Sequence, residues 1–377
     1  MHGPWVGSRR VAFVPVINRQ VDAGVPPGFR DTVVRRVFGD FDPVTQVDRA
    51  LRRYISTVSY GRAALSAQVT DPVEAANPDT MGAALRSIPS GHDFDACCAV
   101  LPSGGPDRTG FAWWHGDEVN GFQSFARVNL AEGLGVWAME LVHCLGDFAD
   151  LYNTNPHLAG FDNMACSCGT HPTVHTKMHL GWLAESAAST KSTPGTQSFD
   201  LHAVGLPQPA PQGRRMAVRI PGRDGGNQYM VEARLRSDQY DRPSFASAGV
   251  PSEGVIVYEV AGKTEVYLRT PNALGVGDTF TASGDDRLEV SVTGQLVNGF
   301  TVAVTIPLAA DERTVPLVRF LAPGHAAEHV RQADLLPAFT GAPEASGTFV
   351  FDQSPGPHTI VQRGSTVTMR LRQGQLP

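Results

Sequence analysis

Ala138-Met139-Glu140-Leu141-Val142-His143-Cys144-Leu145-Gly146 is the stretch on which the fold turns. With the residues before it, it predicts a helix over residues 134–145. Leu134, Val136, Trp137, Ala138, Met139, Leu141, Val142 and Leu145 fall on every side of that helix. A helix apolar all round is a buried central helix. Gly146 is expected to close it, as a C-terminal glycine does. Two polar residues interrupt the apolar run, Glu140 and His143. Residues four apart share a helical face, so Met139 and His143 lie together with Glu140 beside them.

That spacing is one residue away from H-E-x-x-H, in which two imidazoles at i and i+4 hold zinc and the glutamate handles the proton of the metal-bound water. Met139 stands where the first imidazole would be. A thioether is a soft, neutral and weak ligand for zinc, and the plain reading of Met139 is that it fills core space. Glu140 has two readings. As a catalytic base it needs a metal-bound water beside it; as a structural residue it is a buried carboxylate that needs a partner.

The chain on either side adds to the pattern. Asp147, Asp150, Leu151 and Tyr152 follow the helix, then Gly160-Phe161-Asp162-Asn163-Met164-Ala165, His171-Pro172, Lys177 and Leu180-Gly181-Trp182. Upstream stand Arg52-Arg53-Tyr54 and Val58-Ser59-Tyr60-Gly61-Arg62. Downstream stand Gln228-Tyr229-Met230-Val231-Glu232-Ala233-Arg234 and Gly254-Val255-Ile256-Val257-Tyr258-Glu259-Val260. This order resembles the immune inhibitor A family of secreted metallopeptidases over residues 11–306.

The resemblance implies an α+β fold: a zincin-like metalloprotease domain with a β-rich C-terminal half. It implies a cleft that holds Met139 and His175 and is floored by Met164, with Glu140 as the catalytic residue. It implies zinc on His143 and Asp150, structural calcium, and export from the cell. The chain departs from the family at two points. Met139 removes a ligand. The position three after Gly146 is Ala149, so Asp150 comes one residue late, and Asp147 is a second candidate for the same role. Asp150 also reads as a simple turn acceptor. For calcium, no D-x-D-x-D-G loop is present in the sequence.

Composition narrows the classes. A chain of 377 residues is long enough for two or three structural units. A net charge of −6 argues against a nucleic-acid partner. No apolar run approaches membrane-spanning length. Residues 11–17 read as a first buried strand rather than as the apolar part of a signal peptide. Five cysteines cannot all pair within one chain. Cys97 and Cys98 read as core thiols, while Cys144, Cys166 and Cys168 either pair or pack. A C-x-C pair lacks the usual zinc spacing. Cys144 beside His143 is not a nucleophile pair, because adjacent helix residues point about a hundred degrees apart. No phosphate loop, G-x-S-x-G elbow or nucleotide fingerprint is present.

Three units are expected: an α/β domain over 1–185, antiparallel β structure continuing it over 186–310, and a small all-β tail over 311–377, by default a β-sandwich. An amphipathic helix is expected after Asp42-Pro43, on Val44, Val47, Leu51, Tyr54, Ile55 and Val58. Residues 186–198 and 206–215 read as surface loops. Residues 103–120, with Trp113, Trp114 and His115, read as irregular. His171, His175 and His179 fall at i, i+4 and i+8 of a further helix, as substitute ligands or as a surface stripe.

Three functions follow. The first is a metalloprotease-like pseudoenzyme with little zinc-peptidase activity, whose cleft takes a peptide or small molecule or does metal-free chemistry. The second is a zinc endopeptidase using His143, Asp150 and a substitute such as His175 or Asp147. The third is a structural or adhesive module.

Overall fold

The structure is a computed structural model that describes residues 3–75, 80–88, 93–105, 108–113, 124–222, 226–282, 288–341 and 347–374. Trp114 and His115 lie outside the described residues. The fold is mixed α+β and richer in strand than in helix. The chain divides into two compact units, 1–305 and 306–377.

The first unit opens with a sheet in the strand order Ala63–Val69, Gly7–Asn18, Ala96–Leu101, Phe125–Asn129, Phe111–Trp113. The first four strands run parallel, and Phe111–Trp113 is antiparallel to its neighbour at the end of the path. Parallel strands are covered on both faces and so read as continuous apolar runs. That is why residues 11–17 and Ala96–Leu101 are buried without a break. Alternation splits them between two cores. Phe13, Cys98, Val100 and Val128 share one core with Leu51, Tyr54, Ile55 and Trp137. Ala12, Val14, Cys97 and Ala99 face Ala84, Leu85 and Ile88 on the other side.

The site helix, Leu134–Gly146, is buried at every residue except Val136. It lies in the larger core, which also takes in Val204, Met216, Met230, Ile256 and Tyr258 from the following β structure. That structure has two sheets. One runs Val266–Leu268, Gly254–Val260, Gln228–Arg234, Ala217–Pro221, Ala188–Thr190. The other runs Gly195–His202, Gly299–Ile306, Glu289–Leu296, Thr279–Thr281.

The structure corrects four sequence expectations, besides placing the strand Phe111–Trp113 inside the stretch 103–120 expected to be irregular. The helix expected from Asp42 begins at Leu51, and Phe41–Asp42 pairs with Val47–Asp48 instead. The Asp42 carboxylate accepts from the Val44 amide and the Thr45 hydroxyl, which closes a local turn in place of a helix cap. Gly146 does not terminate the site helix: Asp147 takes the left-handed position, at φ 49°. The glycine serves packing, since a Cβ there would stand 2.5 Å from Leu180 Cδ2. Part of the loop expected at 186–198 is strand, Ala188–Thr190 and the start of Gly195–His202.

The fourth correction concerns the tail. The unit 306–377 carries a helix, Pro323–Gln332, and is not all-β. The helix starts with proline at its first turn, where the missing N–H costs nothing. Ala326 and Val330 bury it against Val350, Val367 and Met369. Those belong to a three-stranded sheet, Leu336–Gly341, Thr366–Gln373, Thr348–Ser354, whose first pair is parallel.

Candidate functional site

The apolar helix delivers Glu140 and His143 to one place and leaves them 7% and 6% exposed. His143 Nδ1 lies 2.6 Å from the carbonyl oxygen of Phe148. Its Nε2 lies 2.9 Å from Asp150 Oδ1, as an ion pair more than an aligned hydrogen bond. A carbonyl only accepts, so Nδ1 carries a proton; an ionised carboxylate favours a proton on Nε2 as well. Burial pushes the imidazole pKa down, but the Asp150 carboxylate, the Glu140 charge and the Phe148 carbonyl outweigh it and hold it above the usual histidine value. Burial also works against an ionised Asp150, yet His143 and the Tyr152 hydroxyl keep its pKa below the usual range. The late aspartate is therefore the residue that meets His143.

Glu140 is governed by desolvation. Its carboxyl makes no hydrogen bond among the described residues, and burial pushes its pKa to about 7, with His143 opposing. The backbone at Gly110, just before the edge strand Phe111–Trp113, comes close over it. A Cβ on Gly110 would stand 2.6 Å from Glu140 Oε1 and from Val136 Cγ1. The Gly110 amide is tied by a hydrogen bond to Glu132 Oε1 at 2.6 Å.

Met139 is engaged elsewhere. Its sulfur accepts a hydrogen bond from Ser167 Oγ at 3.1 Å. Ser167 lies between Cys166 and Cys168, which form a disulfide. Cys97, Cys98 and Cys144 are free and buried. The Cys166–Cys168 segment is pressed onto the site helix at Gly135, where a Cβ would collide with the Ser167 carbonyl. Asn163 Nδ2 donates to the Gly135 carbonyl at 3.0 Å and fixes the same approach. Met164 is fully buried in the larger core, and its carbonyl accepts from the Leu151 amide.

The two candidate substitute ligands are both engaged by Lys263. His175 Nε2 donates to the Lys263 carbonyl at 2.8 Å, and burial depresses its pKa to about 4. Lys263 Nζ donates to the Asp147 carbonyl and stands 3.6 Å from Asp147 Oδ2. His171 corrects the expected stripe. It precedes the helix Val174–His179 and is fully buried, with Nε2 at 2.8 Å from Asp238 Oδ2 and Nδ1 accepting from Lys177 Nζ at 3.1 Å. His175 and His179 do neighbour each other, with ring centroids 4.6 Å apart.

The motif residues 229–234 and 171–177 converge on a buried polar cluster. Arg234 meets Asp241 at 2.9 Å and Glu232 at 3.3 Å, all without exposure. Glu232 also accepts from the Val174 amide and the Tyr258 hydroxyl. Asp162 accepts from the Met164 and Thr173 amides and from the Thr173 and Thr176 hydroxyls. Sequence reading had no means to find Ser167 or Lys263, whose roles depend on contacts across 28 and 88 residues.

Comparison with protein-family models and with curated proteins returned no match. The donor set itself tests the implied zinc. A catalytic zinc takes three protein ligands and a water. Among the described residues no three His, Cys, Asp or Glu side chains group around one point. His143 and Asp150 face each other, and the Met139 sulfur is held by Ser167. Among the described residues, His143 and Asp150 alone do not make up that set of three.

Proposed function

We propose that the protein is a zincin-like metallopeptidase relative whose metal site is degenerate, with little or no zinc-peptidase activity. The family part of this reading rests on the motif order in the sequence. One observation carries the degeneracy: the Met139 thioether accepts from Ser167 while His143 Nε2 faces Asp150 Oδ1 at 2.9 Å. On this reading the helix keeps an acid–base pair, Glu140 and His143. Glu140, its carboxyl pushed up to about 7 by burial, lies beside His143, whose imidazole Asp150 helps to hold above the usual histidine value. A carboxyl tuned to that range exchanges a proton at neutral pH. The reading therefore favours a site that binds a peptide or small molecule, or moves a proton on it, over zinc-dependent hydrolysis. The test is elemental analysis of the purified chain together with a casein cleavage assay. Far less than one equivalent of zinc and no cleavage are expected. A stoichiometric zinc that survives gel filtration, with cleavage abolished by a chelator, overturns the proposal.

A further inference from the structure

Two of the sequence motifs that the acid–base site leaves unused meet elsewhere in the first unit. Tyr60 and Arg62 come from the turn that follows the helix Leu51–Val58, and Trp182 from the segment after the helix Val174–His179. With the loop 208–216 they line one cavity of about 450 Å³. That volume lies in the range of sites for small organic ligands.

The charge of this cavity is one-sided. Arg62, Arg214 and Arg215 line it, and no Asp or Glu does. Among the described residues no carboxylate pairs with any of the three. In a chain of net charge −6, three arginines with no carboxylate partner among the described residues are a local excess. A concave site of one sign concentrates its field on a counter-ion. The floor is apolar: Leu183, Ala187 and Ala210 line it beside the buried Trp182 and Met216.

The backbones that carry the arginines are pinned. The Arg62 amide donates to the Ser59 carbonyl, and its carbonyl accepts from Gly7. The Arg214 amide donates to Pro211, the Arg215 amide to Asp200, and the Met216 amide to Ala187. The Tyr60 hydroxyl is held by the Val204 carbonyl at 2.5 Å. The backbone of the cavity wall is therefore held before a ligand arrives, which lowers the ordering cost of binding.

We propose that this cavity binds an amphipathic organic anion, one carboxylate or sulfonate group joined to an apolar body about the size of an aromatic ring system. Arginine forks pair with planar oxyanions, and the floor takes the apolar part. The proposal is independent of the acid–base site.

The experiment is a fluorescence titration of the full chain with 8-anilinonaphthalene-1-sulfonate. Indole-3-acetate and its neutral amide, indole-3-acetamide, serve as competitors. Saturable binding is expected, displaced by the acid and not by the amide, and weakened by added salt. The Arg62→Gln/Arg214→Gln variant should bind about tenfold more weakly. Arg30→Gln, at a different cavity, should bind as the parent does. Both arginine substitutions are also read singly, so that a folding defect in the double variant does not decide the result. Equal competition by the amide, or parental affinity in all the Arg62 and Arg214 variants, overturns the proposal. Absence of saturable binding does so as well.

Discussion

The hydroxyl of Ser167 donates to the thioether of Met139 across 3.1 Å, at the position where a zinc-protease helix would present its first imidazole. The contact ties the site helix to the Cys166–Cys168 disulfide segment and occupies the Met139 sulfur with the Ser167 hydroxyl.

Met139→His restores the i, i+4 imidazole pair. Without zinc the variant should melt below the parent, because a buried imidazole replaces a packed thioether. With micromolar zinc it should regain stability by mass action on the folded state. Competent proteolysis is not expected, since Asp150 still comes one residue late, and misplacing the groups that hold or orient a ligand costs about 10- to 100-fold. Paired thermal melts with and without zinc, beside a casein assay, read both points. A variant whose melting ignores zinc would remove the idea of a relic metal site.

Glu140→Gln tests the desolvated carboxyl. In the folded chain the group titrates near 7, against an ordinary value of 4.5. A raised carboxyl contributes stability that is complete below about pH 4.5 and lost as the pH rises through about 7. The uncharged variant escapes that loss. Unfolding free energies from urea titrations should fall more between pH 5 and pH 8 for the parent than for the variant, by roughly 1–3 kcal/mol. Parallel pH profiles would show that Glu140 is not desolvated.

Two glycines of the site helix separate soft from hard packing. At Gly146 an added methyl meets the end of the Leu180 side chain, which has some room to shift. Gly146→Ala should cost about 1–2 kcal/mol. At Gly135 the methyl meets the Ser167 carbonyl and the Gly169 amide, which are backbone. Gly135→Ala should cost about 3 kcal/mol or more and weaken the Ser167–Met139 contact. Chemical denaturation of both variants gives the ranking, and a reversed order would contradict the observed approach of the disulfide segment.

Arg234→Met should cost about 3–5 kcal/mol, because it leaves Glu232 and Asp241 buried without their cation. Replacing Glu232, Arg234 and Asp241 together by apolar residues should cost less than Arg234→Met alone, since no orphaned charge remains. Denaturant midpoints of the single and triple variants decide it. A single substitution costing under about 1 kcal/mol would mean that the cluster does not hold the β structure to the helix Val174–His179.

Local pattern determined the elements. Continuous apolar runs made the strands at residues 11–17 and 96–101 readable, and apolar residues on every side made Leu134–Gly146 readable as a buried helix. These signals are carried by neighbours within a few positions, so they need no knowledge of the fold. The same reading failed where a side chain competed with the backbone. At Asp42 a local turn displaced the helix start, and at Gly146 Leu180 made use of the missing side chain while Asp147 took the left-handed cap.

The chemistry at the helix was decided by the tertiary structure. Glu140 and His143 were visible as polar residues in an apolar run. Their proton affinities come from burial and from the approach of Asp150 and the Phe148 carbonyl. Whether Met139, His175 or Asp147 was free to act depended on Ser167 and Lys263, far away in the chain. Spacing along a chain sets which residues share a face. Only packing sets which of them are already satisfied, because desolvation and hydrogen-bond competition are properties of the surroundings and not of the motif.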